Sequence, residues 1–345
     1  MLLFTTFKLN IKIWKKKIYK VGGLFSGVGG IELGFSDKEK FKIVWGTDFD
    51  NNASKTYRKN FSHPFYEIDI NELKGHELEE VDVLVGGFPC QAFSVAGYQK
   101  GFEDKRGDVF FQILRIINEL PKKPKVLLLE NVKNIYTHDK KRTFKIIQDS
   151  LEQTGYCVFS KVLNTCDYTN IPQNRERTFI VCFLEGKHAF LDLSKPKSTY
   201  FQKVFPPEIN KKLLPVRNFL ENNEVDEKYY YRQDKYNYAD LSKSIVKPNT
   251  FYQWRRVYVR ENKNGVCPTL TANMGTGGHN VPLIKDEFGI RKLTPRECFN
   301  LQGFPKNFNL PEEVSNTQLY KQAGNSVTVT MIKKFAEIIY NCLNS

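Results

Sequence analysis

Short apolar runs alternate with segments of helical periodicity over the first half of the chain. The apolar runs predict five strands, at Lys20–Phe25, Phe41–Gly46, Val81–Val85, Val126–Leu129 and Thr178–Leu184. Apolar residues spaced three and four apart predict helices between them, for example over Val109–Leu120 and Thr143–Thr154. Such alternation is typical of a parallel sheet with helices on both faces. We therefore predict an α/β fold with a doubly wound, mostly parallel sheet.

Polar or reactive residues follow three of the predicted strands. Asp48, Cys90 and Glu130 each come after an apolar run. Because the carboxyl ends of parallel strands share one edge of a sheet, we expect these side chains on one rim. An isolated cysteine is most often a buried apolar side chain, but Cys90 follows Pro89 in a loop context, where reactive thiols occur. A thiol and a carboxylic acid on one rim suit attack on an electron-poor ring whose nitrogen must be protonated.

A glycine-rich segment, Phe25-Ser-Gly-Val-Gly-Gly30, lies between the first predicted strand and a helical pattern through Phe35. Glycines in such a loop let the backbone approach a nucleotide-like ligand, and an acid about 20 residues later can bind ribose hydroxyls. Asp48 has this spacing from the loop. The spacing of the glycines is not Gly-x-Gly-x-x-Gly, so a dinucleotide is not favoured. A purely structural turn remains an alternative on this pattern alone.

Residues 191–290 differ from the first half of the chain in composition and in hydrophobic pattern. Between Lys195 and Gly265 there are 15 Lys or Arg, 8 Asp or Glu and 13 aromatic residues, and the alternation of strands and helices fades. We interpret this region as a separate, smaller domain with a basic, aromatic surface. The alternative is an ordinary aromatic core beneath a solvated charged face.

Charge and cysteine content restrict the function further. The 52 Lys and Arg exceed the 38 Asp and Glu and give a net charge of +14, which points to a polyanionic partner, nucleic acid above all. No run of 18 apolar residues predicts a membrane span. The 7 cysteines include no Cys-x-x-Cys pair and no zinc spacing. We therefore expect a cytoplasmic protein without a metal site or a disulfide framework.

Six blocks of this sequence resemble the ordered motifs of bacterial C5-cytosine DNA methyltransferases of the restriction–modification type. The blocks are Leu24–Gly30, Gly86–Ser94, Glu130–Val132, Gln173–Arg177, Arg291–Cys298 with Leu301–Phe304, and Tyr320–Val327. The resemblance implies the S-adenosylmethionine-dependent methyltransferase fold with an inserted target-recognition domain. It implies a basic extension at 1–18, a catalytic and cofactor-binding domain at 19–190, target recognition at 191–290, and late motifs at 291–345 that return to the catalytic domain.

The same resemblance implies the chemistry. The enzyme would transfer a methyl group from S-adenosylmethionine to C5 of a cytosine flipped out of a specific short duplex sequence. Cys90 would attack C6, and Glu130 would supply the proton at N3. Arg177 would bind the cytosine O2, and Arg175 would lie near the thiol and a phosphate.

Cofactor and DNA contacts also follow from the resemblance. Phe25 and Phe49 would pack on adenine, Asp48 would bind the ribose, Asp69 the adenine amino group, and Ser26, Gly27, Gly29, Gly30, Asn325 and Ser326 the methionine end. Gln91, Ser94, Trp254, Arg255 and Arg256 are candidates for DNA contact. The implied partners are duplex DNA and, functionally, a cognate restriction endonuclease, with the enzyme acting as a monomer.

Two positions depart from the family pattern. Gly23 stands where the family often has Asp, and Ala96 stands where some relatives have a Ser that fills the gap left by the flipped base. Three other interpretations remain open at this point. They are an RNA cytosine methyltransferase on the same scaffold, a non-catalytic DNA-binding protein and a nucleotide-dependent oxidoreductase.

Overall fold

A computed structural model describes residues 17–89, 109–210, 212–234, 237–255, 258–262, 264–276 and 281–345. The predicted site residues Cys90, Gln91, Ser94 and Arg256, together with Ala96 and most of the extension at 1–18, lie outside the described residues. In the described part of the chain, no helix is both long and apolar enough to cross a membrane.

The larger sheet of the structure has seven strands. They are β1 (Tyr19–Leu24), β2 (Phe41–Asp48), β3 (Phe65–Glu67), β4 (Val83–Gly87), β5 (Val126–Val132), β6 (Tyr156–Asn164) and β7 (Glu176–Leu184). Their spatial order is β3-β2-β1-β4-β5-β7-β6, and every neighbouring pair is parallel except the two that include β7. The predicted α/β fold with a mostly parallel sheet is therefore confirmed.

Two details of this sheet differ from the sequence prediction. Strand β5 continues through Glu130 to Val132, so Glu130 lies within a strand and does not follow one. Strands β3 and β6 were not predicted. β3 is only three residues long, which is too short for a period-two pattern to be recognised.

Ten helices occur in the described ranges. They are α1 (Gly30–Gly34), α2 (Asn51–Asn60), α3 (Val109–Glu119), α4 (Arg142–Gln153), α5 (Thr165–Tyr168), α6 (Phe201–Val204), α7 (Tyr238–Ser244), α8 (Pro295–Leu301), α9 (Asn316–Asn325) and α10 (Val329–Asn344). Short 3₁₀ turns lie at Gly75–Glu77, Lys133–Tyr136, His138–Lys141, Lys197–Tyr200, Val216–Phe219 and Glu227–Tyr229.

Alternate residues of the central strands enter two different cores, one on each face of the sheet. Val126 and Leu128 of β5 pack in the same core as Ile332 of α10. Leu127 and Leu129 pack on the opposite face in the core that contains residues of α3 and α4. The period of two explains why the strand is apolar throughout, since both faces are covered.

A smaller antiparallel sheet follows the first in the chain. Its strands are β8 (Tyr230–Tyr231), β9 (Phe251–Arg255), β10 (Tyr258–Asn262), β11 (Leu283–Lys285) and β12 (Ile290–Lys292), in the order β10-β9-β11-β12-β8. Tyr200, Val204 and Phe205, which precede these strands, pack in the core of the larger sheet.

A buried ion cluster joins the smaller sheet to α8. The Arg291 side chain is only 1% exposed, and its guanidinium donates to Asp286 at 2.5 Å and to both oxygens of Glu297 at 2.7 and 2.8 Å. Glu297 also accepts from the backbone N–H of Thr294, which completes a capping box at the start of α8. Each charge is therefore paired, as burial requires.

We expect Arg291→Met to lower the free energy of unfolding by about 3–5 kcal/mol, because it leaves the buried Glu297 carboxylate and the partly buried Asp286 carboxylate without their cation. Arg232→Met is the matched control, since Arg232 pairs with Glu227 on the exposed surface of the same sheet. This control should lose about 1 kcal/mol or less. Urea unfolding of both variants tests the difference, and equal losses would contradict it.

Candidate active site at the rim of the larger sheet

The carboxyl ends of β4 and β5 and the amino end of β7 lie at one edge of the larger sheet, because β7 runs in the opposite direction. Arg177 near the start of β7 is paired with Val132 at the end of β5, and Glu130 is paired with Gly87 at the end of β4. The Arg177 Nε lies 3.0 Å from Glu130 Oε1. Two predicted catalytic residues that are 47 positions apart thus form an ion pair.

The Glu130 carboxyl is almost completely buried, with 8% of the residue exposed. A Cβ atom at Gly87 would lie 3.2 Å from Glu130 Oε2, so the glycine leaves room for the carboxyl group. Burial raises the pKa of Glu130 above its ordinary value, and the positive charges of Arg177 and Arg175 partly oppose this shift. The group can therefore carry a proton at a higher pH than an exposed glutamate.

Asn131 fixes the chain just before the predicted nucleophile. Its Nδ2 donates to the Phe88 carbonyl at 2.9 Å, and its Oδ1 accepts from the Val132 N–H at 2.8 Å. Phe88 is two residues before Cys90, which itself lies outside the described residues. Asn131 belongs to the Glu130–Val132 motif, but the sequence alone indicates no role for it, since only the fold brings the end of β4 beside β5.

Arg175 is buried and bonded to backbone carbonyls. Its Nη1 donates to Leu270 at 2.8 Å, and its Nη2 donates to Gly324 at 3.0 Å and to Ser326. The resemblance to the methyltransferase family implies that Arg175 lies near the Cys90 thiol and a phosphate. The described contacts join the residue directly before β7 to the loop between β10 and β11 and to the end of α9, and the place near the thiol and a phosphate stays a prediction.

The glycine-rich segment forms a tight turn above β1 and β2. Phe25, Gly27 and Gly29 have φ values of 53°, 54° and 86°, in the left-handed region that favours glycine. The Ser26 N–H donates to Thr47 O at 2.8 Å. A Cβ atom at Gly27 would meet no other atom within 4 Å, so the space beside this backbone is open.

Asp48, Phe49 and Asp69 lie next to this turn. Asp48 accepts from the Gly27 N–H at 2.8 Å, and burial raises the pKa of its carboxyl, opposed by the amides of Asp50 and Gly27. Phe49 is 70% exposed, which is unusual for so large an apolar side chain. Asp69 is exposed just after β3, whose extension bonds to β2 through Ile68 N–H and Asp48 O at 3.0 Å.

The terminal block reaches the same turn. Gly30 packs directly against Ser326, because a Cβ atom at Gly30 would overlap the Ser326 hydroxyl. This hydroxyl is buried and forms no hydrogen bond in the described part of the structure. Asn325 is exposed beside it at the end of α9. The structure therefore brings the predicted cofactor residues of the loop, of β2 and of the terminal block together.

Trp254 and Arg255 lie elsewhere, on β9 of the smaller sheet. Successive residues of a strand point to opposite faces. Trp254 packs against the small core of that sheet, whereas Arg255 is exposed. In the described ranges, no cluster of three or more His, Cys, Asp or Glu side chains could hold a metal ion.

Glu32 is a buried acid that the sequence analysis did not single out. It is 1% exposed, and a Cβ atom at Gly23 would overlap its carboxylate. Glu32 therefore fills the space at the position where the family often has Asp. Burial raises the pKa of Glu32 to about 7, and the hydrogen bond from Ser26 partly opposes this. The only sequence feature that indicates burial of Glu32 is its position between the apolar residues Ile31 and Leu33.

Comparison with known proteins identifies close relatives. The profile of the C-5 cytosine-specific DNA methylase family matches residues 19–341. The chain is 49% identical over 327 residues to the Type II methyltransferase M.Bsp6I of Bacillus sp. (strain RFL6), covering 94% of this chain and 99% of that protein. It is 38% identical over 331 residues to the Type II methyltransferase M.HaeII of Haemophilus aegyptius, covering 95% of each.

A solved structure, the Dnmt2 methyltransferase of S. pombe, superposes on this chain with a TM-score of 0.69. The two sequences are 20% identical, and the superposition covers 95% of this chain and 99% of that chain. At this level of identity the similarity shows a shared fold.

We expect Glu32→Gln to flatten the pH dependence of stability. A carboxyl whose pKa is raised from 4.5 to about 7 by folding binds its proton more tightly in the native state, so stability falls as pH rises through that window. Glutamine cannot ionise. The variant should therefore gain stability over the wild type above pH 7, by at most about 3 kcal/mol. Urea unfolding from pH 5 to 8 measures this, with exposed Glu39→Gln as the control. If the free energy of unfolding of Glu32→Gln fell with pH as steeply as that of the wild type, the raised pKa of Glu32 would be contradicted.

Proposed function

Because this chain belongs to the C-5 cytosine-specific DNA methylase family, it is a DNA (cytosine-5-)-methyltransferase, and we propose the route by which its residues act. The substrate is a cytosine within a short duplex sequence, methylated as part of a restriction–modification system. The family match removes the oxidoreductase and non-catalytic interpretations. An RNA substrate becomes an outcome of the test below.

The cytosine ring is unreachable inside a helix, so the base leaves the stack before reaction. The Cys90 thiolate then forms a bond to C6 while Glu130 gives its proton to N3, which moves electron density to C5. C5 accepts the methyl group. Loss of the C5 proton to solvent restores the double bond and releases Cys90 as the thiolate, and the N3 proton returns to Glu130. S-adenosylmethionine, when bound, supplies the electrophilic methyl group.

The observation that carries this proposal is the buried ion pair of Glu130 and Arg177. A general acid must hold its proton near neutral pH and must lie beside the atom that it protonates. Burial raises the pKa of Glu130 and so favours the first condition. Arg177 fixes one carboxyl oxygen at 3.0 Å and provides donors for the cytosine O2 beside the protonated N3.

The described residues fit S-adenosylmethionine. Asp48 lies beside the open backbone of Gly27, where it can accept from ribose hydroxyls. The exposed Phe49 ring offers a stacking surface for adenine. The unpartnered Ser326 hydroxyl, with Asn325 next to it, can donate to the methionine carboxylate. Phe25, Ser26, Gly29, Gly30 and Asp69 border the same space in this proposal.

We also propose which segments of the chain carry which function. We assign catalysis and cofactor binding to 19–190, target recognition to 191–290 and the returning late motifs to 291–345, with 1–18 as a basic extension. Gln91, Ser94, Trp254, Arg255 and Arg256 contact DNA in this proposal. Trp254 packs against the small core of its sheet and also lines the groove beside Arg255. The enzyme acts as a cytoplasmic monomer, and a cognate endonuclease is its functional partner.

Covalent trapping tests the assignment of Cys90. Fluorine at C5 cannot leave as a cation, so duplex DNA with 5-fluorocytosine at the target should remain bonded to the enzyme, and only with S-adenosylmethionine present. Proteolysis and mass spectrometry should locate the adduct on the peptide that contains Cys90. Cys90→Ser should form no adduct, since a hydroxyl is a far weaker nucleophile near neutral pH.

Two controls sharpen this experiment. Cys166 is partly exposed near the rim, so Cys166→Ser should trap like the wild type. RNA of the same sequence should give no adduct. An adduct on another cysteine, or a preference for RNA, would sink the proposal.

Glu130→Gln should keep cofactor binding and lower turnover by roughly 10²–10⁴-fold, because an amide cannot donate the N3 proton. The matched control is Glu176→Gln, which removes an exposed carboxylate at the start of β7 that pairs with Lys133. Single-turnover methylation with saturating DNA and cofactor measures the chemical step. Near-normal turnover in Glu130→Gln would remove this residue from the mechanism.

A further inference from the structure

Strands β9 and β10 form a two-stranded ribbon at the edge of the smaller sheet. Gln253 is paired with Arg260, and Arg255 is paired with Tyr258. Strand β9 also contacts β11, through Tyr252 and Leu283, whereas β10 has no further strand beside it among the described residues. Strand β10 is therefore the edge strand of the smaller sheet as described.

The two faces of the ribbon differ in chemistry. Tyr252, Trp254 and Val259 pack with Leu241 and Ile245 in the small core beneath the sheet. Since side chains alternate along a strand, Gln253, Arg255 and Arg260 belong to the opposite face. We call these three residues the polar face of the ribbon.

The polar face carries two positive charges without an anion to balance them. Neither Arg255 nor Arg260 forms an ion pair within the described residues, and the nearby Glu261 carboxylate is paired with Lys247 at 3.0 Å. The Arg255 Nη2 donates to Gln253 Oε1 at 3.3 Å, so Gln253 orients one guanidinium. Two cations on one face of a ribbon repel each other, and an anionic or electron-rich partner would relieve this repulsion.

The polar face lines a groove of about 780 Å³, whose other wall includes residues close in sequence to the catalytic rim. Asn174 and Thr269 line the same groove, and the Thr269 hydroxyl donates to Asn174 O at 2.6 Å. Asn174 directly precedes Arg175, whose guanidinium bonds to Leu270 O at 2.8 Å. The groove therefore borders the segment directly before β7, which leads to Arg177 at the catalytic rim.

We propose that Arg255 and Arg260 determine sequence specificity by each reading a guanine in the major groove, with Gln253 positioning Arg255. This inference rests on the proposed function, because it requires duplex DNA with its target base at the catalytic rim. A two-stranded ribbon fits the major groove, and a guanidinium can donate to O6 and N7 of guanine at once. The exposed polar face beside the rim has the shape and the donors for this contact.

Lysine substitution separates base reading from attraction to phosphate. Arg255→Lys and Arg260→Lys keep the positive charge but lose the planar fork that a guanine edge requires. Both residues are exposed, so the substitutions leave the core of the sheet intact. Arg232→Lys is the matched control, since this partly exposed arginine directly follows β8 of the same sheet and is paired with Glu227.

The experiment uses the full chain and a pool of duplexes. Bisulfite sequencing of plasmid DNA first identifies the wild-type site. A pool in which each base pair of that site is randomised in turn is then methylated in one reaction, which yields relative kcat/KM values for all sequences. We expect each lysine variant to lower the preference for guanine at one position by roughly 5- to 150-fold, and the two variants to act at different positions. Arg232→Lys should reproduce the wild-type preferences.

Two outcomes would overturn this inference while the proposed function stands. One is an unchanged preference at every position in both lysine variants. The other is an equal loss on all sequences in Arg255→Ala and Arg260→Ala, with a salt slope that falls by about one per arginine, since this marks phosphate contacts. A wild-type chain that neither methylates the duplex pool nor is trapped by 5-fluorocytosine would contradict the proposed function as well.

Discussion

The buried guanidinium of Arg175 holds together three parts of the chain that are far apart in sequence. Its hydrogen bonds reach Leu270, in the loop between β10 and β11 of the smaller sheet, and Gly324 and Ser326, at the end of α9. Burial of this cation is costly and lowers the pKa of Arg175, so the carbonyl oxygens that surround it are needed to stabilise its charge. These bonds connect the segment before β7 to the Ser326 residue whose hydroxyl lies beside Gly30, and to the loop at Leu270.

The reversed direction of β7 determines the electrostatics of the rim. In a fully parallel sheet the amino end of this strand would lie at the opposite edge, and Arg177 would be far from Glu130. The antiparallel pairing places Arg177 opposite Val132 and so within reach of the buried acid. Burial and the adjacent cations act on Glu130 in opposite directions, which leaves an acid that can both hold and release a proton.

The pattern of the sequence predicted the fold class, five strands of the larger sheet and the rim that carries Asp48 and Glu130. It could not predict the direction of β7, because apolar periodicity is the same for parallel and antiparallel neighbours. The strands of the smaller sheet are two to five residues long, and their pairing is set by contacts between distant segments. The close approach of the Glu32 carboxylate to Gly23 could not be predicted either. A glycine on a strand and an acid on a helix show no pattern in the sequence that would indicate their contact. Cys90 stays a prediction from the sequence.

The first strand and the last helix of the structure are neighbours. The Tyr19 hydroxyl donates to Leu343 O at 3.0 Å, and Phe335 and Ile339 of α10 pack in the same core as Val21. The loop that follows β1 and the block that precedes α10 are therefore brought together by the packing of β1 against α10, and not by the course of the chain between them. The order of the motifs along the gene is thus separable from their arrangement in space. A circularly permuted gene, in which the coding segment for α9 and α10 precedes that for β1, is compatible with the same active site, so evolution can reorder the motifs without rebuilding the enzyme.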